Sequence, residues 1–318
     1  MNARKSIKKE HKKDGKGFLS EIKANKYLYI LTLPAILFFI IFSYLPMLGI
    51  IMAFQNFSPI KGIFGSEFVG FQNFSFFFTS LDWVKVTWNT VFLNFLFIVT
   101  GLFFQLFFAI LLSTISNKHF KKISQSFTLL PYFISWPIVG MFSVAFFASD
   151  IGIINSIMSF LGMNPINFYQ NPNVWPLTLV MLRIWKSTGY GMIIYLAAIA
   201  GIDTEIYEAA KTDGATKLQR IRFITIPLLK STTIMLLILA LGKIFYGDFG
   251  MMYAIVGDNP LLLPTTDVID TFVFRALRVY GDMGMSSAVG LYQSVVGFIL
   301  VLTSNYIVRK VDNESALF

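Results

Sequence analysis

Glu208-Ala209-Ala210-Lys211-Thr212-Asp213-Gly214, followed after nine residues by Ile224-Thr225-Ile226-Pro227, is a charged island between two long apolar runs. Asp203 stands where its side chain caps a short first helix, and Glu205 falls in that helix's first turn, where negative charge meets unpaired N–H groups. Gly214 can take the positive φ that ends one helix and turns the chain into another, for which Thr216 is the cap. Ala209 and Ala210 are small enough to let a neighbouring surface approach the backbone. Pro227 comes near the start of the next apolar run, where its missing N–H is least costly. The pattern predicts a polar helical hairpin on one side of a membrane, suited to docking on a soluble partner.

The surroundings are membrane-like. The chain has 318 residues, 55% of them hydrophobic and 17% aromatic, with a mean hydropathy of +0.66, far too apolar for a soluble protein of this size. Runs with little or no charge occur at 27–54, 86–113, 123–149, 174–200, 226–247 and 283–308. Each reaches the roughly 20 residues a bilayer crossing needs, so the expected fold is all-α, a polytopic membrane protein with six transmembrane helices. Residues 151–172 are uncharged too, but Asn155, Asn164, Pro165, Asn167, Asn171 and Pro172 mark them as an outer loop with one short interfacial helix. Pro34, Pro46, Pro131 and Pro137 fall inside spans, where neighbouring helices can satisfy the freed backbone groups.

Lysine and arginine in the connections set the orientation. Nine lie in residues 1–26, three at Lys118, Lys121 and Lys122, four at Lys211, Lys217, Arg220 and Arg222, and two at Arg309 and Lys310. The opposite connections hold Lys61, Lys85, Arg275 and Arg278. Both termini and the hairpin are therefore expected in the cytoplasm. The domain plan is a basic tail over 1–26, a six-helix membrane domain over 27–312 containing the 202–225 loop, and a short C-terminal tail over 313–318. The net charge of +9 is mostly the first tail, an ordinary topogenic signal that also suits anionic lipid. No basic surface with interleaved aromatics lies elsewhere, which argues against nucleic-acid binding. The first span is too long for a signal-peptide core and should be retained. Zero cysteines exclude disulfides and thiolate chemistry.

Among the connections, residues 55–85 are expected outside, with Phe71, Phe74, Phe76, Phe77 and Phe78 as an interfacial anchor. A short turn around 117–122 makes the second and third helices antiparallel neighbours. Asn89, Asn94 and Gln105 are polar positions in the second helix, expected to bond across helices or to line a path. The fifth helix should return to the outer face near Asp248, followed by a short helix and loops over 258–282. There is no internal repeat of the kind found in secondary transporters built from duplicated halves.

The hairpin stretch resembles the signature loop of permease subunits of binding-protein-dependent type I ABC importers: Glu-Ala-Ala, three residues, Gly, nine residues, Ile, one residue, Leu-Pro. Ile226 replaces the usual Leu and keeps an apolar residue there. Six fixed identities at ordinary residue frequencies coincide by chance about once in a few million starting positions. Further likeness lies in Pro131-Tyr132-Phe133-Ile134-Ser135-Trp136, Ile184-Trp185-Lys186 with Gly189-Tyr190-Gly191, and 195–203 leading into the loop. Residues 267–275 and 288–294 extend it. Together these resemble the carbohydrate-uptake branch, in particular LplB-type polysaccharide and oligosaccharide permeases, over about residues 27–312.

No catalytic constellation is visible, so an enzyme is not expected. The two histidines, His11 and His119, lie in basic segments, which argues against a metal site or a His-based triad. No G-x-x-x-x-G-K-[ST] loop exists to cradle phosphate, so ATP and its Mg must be bound by another chain. The resemblance implies two permease subunits, usually two different chains, two ATPase subunits and an extracellular solute-binding protein. It assigns Glu208, Ala209, Ala210, Asp213, Gly214, Ile224 and Pro227 to coupling with the ATPase. It places sugar contacts on the helices flanking the loop, which here carry Arg183, Trp185, Lys186 and Tyr190 before it and Lys243, Tyr246 and Asp248 after it. Ionisable groups at membrane depth face a cavity or a partner, and aromatic and polar side chains suit a sugar. The cations Arg183, Lys186 and Lys243 would favour an acidic oligosaccharide; pairing of Arg183 or Lys186 with a carboxylate of the other permease subunit, and simple packing of the aromatics, are the competing explanation. An ion-gradient-driven sugar carrier, or a membrane scaffold that moves no solute, are the remaining alternatives.

Overall fold

The computed structural model describes residues 25–79 and 82–311; most of the basic N-terminal tail, with His11, and the C-terminal tail lie outside the described residues. The chain divides into two compact units, Met1–Ile51 and Met52–Phe318. In the first, helix α1 (Lys26–Phe39) contains Pro34 and passes into a π-helical stretch, Ile40–Tyr44, and then a 3-10 helix beginning at Leu45. Pro46, whose missing N–H leaves the Phe42 carbonyl without its regular i+4 donor, is the local reason for this change of winding.

The second unit is helical apart from a two-residue antiparallel pairing of β1 (Gln55–Asn56) with β2 (Glu67–Phe68). Its main helices are α2 (Gln72–Thr79), α3 (Trp83–Ser113), α4 (Lys118–Leu129), α5 (Trp136–Phe147), α6 (Ile153–Phe160) and α7 (Trp175–Ala200). Then come α8 (Thr204–Thr212), α9 (Lys217–Arg220), α10 (Lys230–Leu241), α11 (Phe249–Ile255), α12 (Ile269–Tyr280) and α13 (Met283–Val311). Among the described residues, three helices are long and apolar enough to cross a membrane alone: Lys26–Phe54, Trp83–Ser113 and Met283–Lys310. Three pairs qualify only when taken together across a bend, of 98° between Lys118–Phe133 and Trp136–Phe147, 70° after Ala200, and 51° at Leu229.

Side-chain contacts fix the directions. Leu93 and Phe97 of α3 pack in one cluster with Leu179 and Val180 of α7, while Ala109 and Leu112 pack in another with Met192 and Tyr195. Numbers rise together along both helices, so α3 and α7 are parallel. Leu229, just before α10, joins the Ala109 cluster, and Ile244, beyond its other end, meets Asn94, so α10 runs antiparallel to them. Val289 of α13 packs with Phe77 and Val86, and Ser294 meets Tyr246, which makes α13 parallel to α3. Phe147 at the end of α5 touches Trp175 at the start of α7, so α5 runs the opposite way. Helix ends Ser113, Ala200 and Val311 therefore lie at the hairpin's end of the molecule. Burial of Trp175, Leu93 and Leu179, all at 0% exposure, is the apolar seam that holds α3 to α7; truncating either leucine to Ala should cost about 2–5 kcal/mol.

Four expectations change. The third run is not one straight span, because Leu130–Phe133 is a 3-10 turn with Pro131 at its start and the next helix begins afresh at Trp136. Lys118, Lys121 and Lys122 are helical rather than in a turn, since Asn117 caps α4 by accepting from the His119 and Phe120 N–H groups at 3.0 and 3.1 Å. Phe77 is a core residue, not an anchor, packed with Val86, Ile269 and Val289. The fifth span does not run unbroken to Asp248: α10 ends at Leu241, and α11 is a separate helix whose Met251 and Met252 are buried in the core.

Candidate functional site

The signature stretch folds as a doubly capped hairpin. Asp203 accepts from the Glu205 N–H at 2.9 Å, and Glu205 and Lys211 sit in the first and last turns of α8, each suited to the local end of the helix dipole. At the far end the Ala215 N–H bonds the Ala210 carbonyl at 2.9 Å and the Gly214 N–H bonds that of Lys211 at 3.1 Å. This double closure needs a left-handed residue, and Gly214 has φ +83°. Thr216 and Gln219 then form a reciprocal capping box on α9, with the Thr216 N–H donating to Gln219 at 2.7 Å. Glu208, Ala209, Asp213 and Gly214 are exposed; Ala210, Asp213, Gly214 and Ile224 line one shallow depression of about 360 Å³ under the turn. Phe223, 68% exposed, also lines it, and apolar Ile206 and Leu218 elsewhere on the two short helices are exposed at 43% and 73%. The hairpin is tied to the helical bundle by the Tyr207 hydroxyl, 2.9 Å from that of buried Thr225. Pro227 follows in the single turn Ile226–Leu228.

The second feature is a cavity of about 650 Å³ between α3, α7 and the break after α10. Arg183, Lys243, Tyr246 and Asp248 line it, with Asn94, Gln105, Ser187 and Thr188. Backbone that leaves a helix at membrane depth must find partners elsewhere. Here the Asn94 amide donates to the carbonyls of Ile244 and Tyr246, both at 3.0 Å, and Gln293 donates to that of Phe245 at 2.8 Å. Asp248 does two jobs: one oxygen accepts from the Met251 N–H at 3.1 Å and caps α11, and the other pairs with Arg183. Lys243 is exposed and makes no ion pair among the described residues. The Tyr246 hydroxyl lies 2.8 Å from that of Ser294.

Lys186 points elsewhere. It is 8% exposed, and its ammonium donates to the carbonyls of Pro131 and Tyr132 at 3.3 and 2.9 Å and to that of Ile134. Its charge also lies 5.2 Å from the Trp136 ring centre. Lys186 thus closes the bend between α4 and α5, taking up the Tyr132 and Ile134 carbonyls and sharing that of Pro131 with the Ile134 N–H. Gly189 lets α7 come that close, since a Cβ there would stand 2.0 Å from the Thr128 carbonyl oxygen. Tyr190 stacks on Tyr132 with ring centres 4.5 Å apart, and Trp185 faces a separate apolar pocket with Val139, Phe142 and Phe146.

Residues 105–313 match the family of binding-protein-dependent transport system inner membrane components. The chain belongs to that family. It is 39% identical to Protein LplB of Bacillus subtilis (strain 168), over 94% of both chains. It is 36% identical to the polygalacturonan/rhamnogalacturonan transport system permease protein YteP of the same organism, over 95% of this chain and 94% of that one. Among solved structures it resembles a chain of a bacterial alginate ABC transporter in complex with an alginate pentasaccharide-bound periplasmic protein, with a TM-score of 0.84 and 31% identity over 92% of this chain and 98% of that one.

The protein is therefore a membrane-embedded permease subunit of an ABC importer, a transport component and not an enzyme, and nothing supports a gradient-driven carrier. Of the seven pathway residues expected in this permease, four share the cavity, while Trp185, Lys186 and Tyr190 lie on other faces of α7. The sequence reasoning passed over Ser187 and Thr188. Ser187 is four residues after Arg183 and thus on its helix face, a signal that was available. Asn89 is not at the cavity; it donates to the carbonyls of Pro264 and Asp267 at 3.2 and 3.1 Å.

Proposed function

We propose that this permease carries oligosaccharides, among them acidic ones, across the cytoplasmic membrane as half of an ATP-driven importer. It has six spans over residues 27–312 with both termini in the cytoplasm. The 1–26 and 313–318 tails lie outside that domain. It pairs with a second, different permease subunit, receives its solute from an extracellular solute-binding protein, and is driven by two ATPase subunits that hold ATP and Mg. Support for the orientation is the surplus of Lys and Arg at the hairpin's end of the molecule.

The observation that carries the mechanism is the exposed hairpin leading, across the 51° bend at Leu229, directly into the helix that ends at the cavity. Glu208 offers a charge-assisted contact to the ATPase, with Ala209, Ala210, Asp213, Gly214, Ile224 and Pro227 shaping the docking surface. When the ATPases close on ATP they draw this hairpin toward its counterpart. Because Tyr207 and Thr225 tie it to the root of α10, the movement reaches the break where Lys243, Tyr246 and Asp248 stand. The bundle then changes which side the cavity opens to.

The substrate class rests on the cavity's lining and on relatives. Arg183 is compensated by Asp248 and Lys186 by backbone carbonyls, so of the three cations only Lys243 is left to meet an anionic sugar. The similar alginate transporter imports what is described as an acidic polysaccharide, and YteP is named for polygalacturonan. The test is uptake of labelled neutral and uronic oligosaccharides by cells carrying the intact chain or Lys243→Ala. Uronic uptake should fall roughly tenfold more than neutral uptake, which corresponds to loss of about 1.4 kcal/mol of charge-assisted contact. Equal effects on both would remove the acidic assignment.

A further inference from the structure

We propose that a second polar pocket, where the ends of α3 and α7 meet α8 and α9, is a binding site for a phosphate group. It encloses about 290 Å³, and its polar lining includes Ser113, Thr114, Ser116, Tyr207, Lys217, Arg220 and Thr225. Neither Lys217 nor Arg220 has a carboxylate partner among the described residues. The Arg220 Nε is buried and has no acceptor, a costly state for a donor unless something fills it. The Thr225 hydroxyl accepts from Tyr207 and donates to the Arg220 carbonyl at 3.5 Å, and that of Ser113 donates to the Ile110 carbonyl at 2.7 Å, which leaves the Ser116 hydroxyl to donate into the pocket.

The Arg220 guanidinium, the Lys217 ammonium and the Ser116 hydroxyl around one space are a donor set that suits a phosphate, with its three or more acceptors. Such a ligand would bridge the hairpin to the ends of two long helices and stiffen the link through which the hairpin moves them. The site is separate from the cavity and independent of which solute is carried. The phosphate could come from a lipid headgroup or from a soluble molecule, and the experiment separates these sources.

Heat-induced unfolding of the full-length chain is followed in uncharged detergent with inorganic phosphate against chloride at equal ionic strength. It is followed again in phosphatidylcholine vesicles with and without phosphatidylglycerol. The expected result is a higher unfolding temperature with at least one probe, lost in Lys217→Gln/Arg220→Gln. A rise with phosphatidylglycerol alone assigns a lipid headgroup, and a rise with inorganic phosphate assigns a soluble ligand. Ser116→Asp, which supplies an internal anion, should unfold at a higher temperature than the parent without ligand and respond to neither probe. No response to either probe, or an equal response in parent and double variant, would overturn the proposal, as would an undiminished response in Ser116→Asp.

Discussion

Asp248 shows how much one side chain can hold at the break after α10. It caps α11 through the Met251 N–H and neutralises Arg183 at the same time. Asp248→Asn keeps the cap and loses the pair, whereas Asp248→Ala loses both. Thermal unfolding should therefore rank parent above Asn above Ala, with the Asn-to-Ala step worth about 1 kcal/mol. Asp270 invites a pH test. Its carboxyl is held above the usual carboxylate range by burial, against the favourable Gly247 N–H at 2.5 Å and the Gln293 amide at 3.2 Å. A raised native value stabilises the fold at pH below the unfolded value and loses that contribution as pH rises through the native one. Relative to Asp270→Asn, the parent should lose stability on going from acid to neutral pH; a difference that does not change with pH would contradict this. Neither role was legible in sequence. Asp248 looked like the outer end of a span, because cap and ion-pair partners are set by a chain reversal that no local pattern announces.

The hairpin, by contrast, was almost wholly legible. Its caps, its Gly turn and its two short helices are local events, decided within about ten residues by side chains that bond their own backbone. Even the capping box was on view in Thr216-Lys217-Leu218-Gln219. The long elements were legible as apolar runs but not as shapes. The 98° bend near Pro131 depends on Lys186, more than fifty residues away in sequence, reaching the carbonyls the bend exposes. The broken fifth span likewise depends on Asn94 and Gln293, which make an interruption tolerable at membrane depth. Polar residues within apolar helices were the available sign that something nearby had lost its regular hydrogen bonds.

For the whole molecule, alternating helix directions place the ends of α3, α7 and α13 together with the hairpin. The proposed cytoplasmic orientation follows if the positive residues at that end obey the usual bias. The chain has no cysteine, so single introduced thiols give an unambiguous readout. Ala215→Cys should react with a membrane-impermeant maleimide only after the membrane is opened, and Gly65→Cys should react in intact cells. The reverse pattern would invert the topology.

The most direct measurement of energy coupling is ATP-dependent uptake of labelled oligosaccharide in cells carrying the parent chain or Glu208→Arg with Gly214→Pro, at matched membrane levels. The double variant removes the proposed charged contact, and proline cannot take the φ of +83° that closes the hairpin. Uptake should fall by tenfold or more, and the inserted chain should no longer co-purify with an ATPase. Undiminished uptake with the ATPase still bound would contradict the assignment of this hairpin as the site where ATP hydrolysis is coupled to transport.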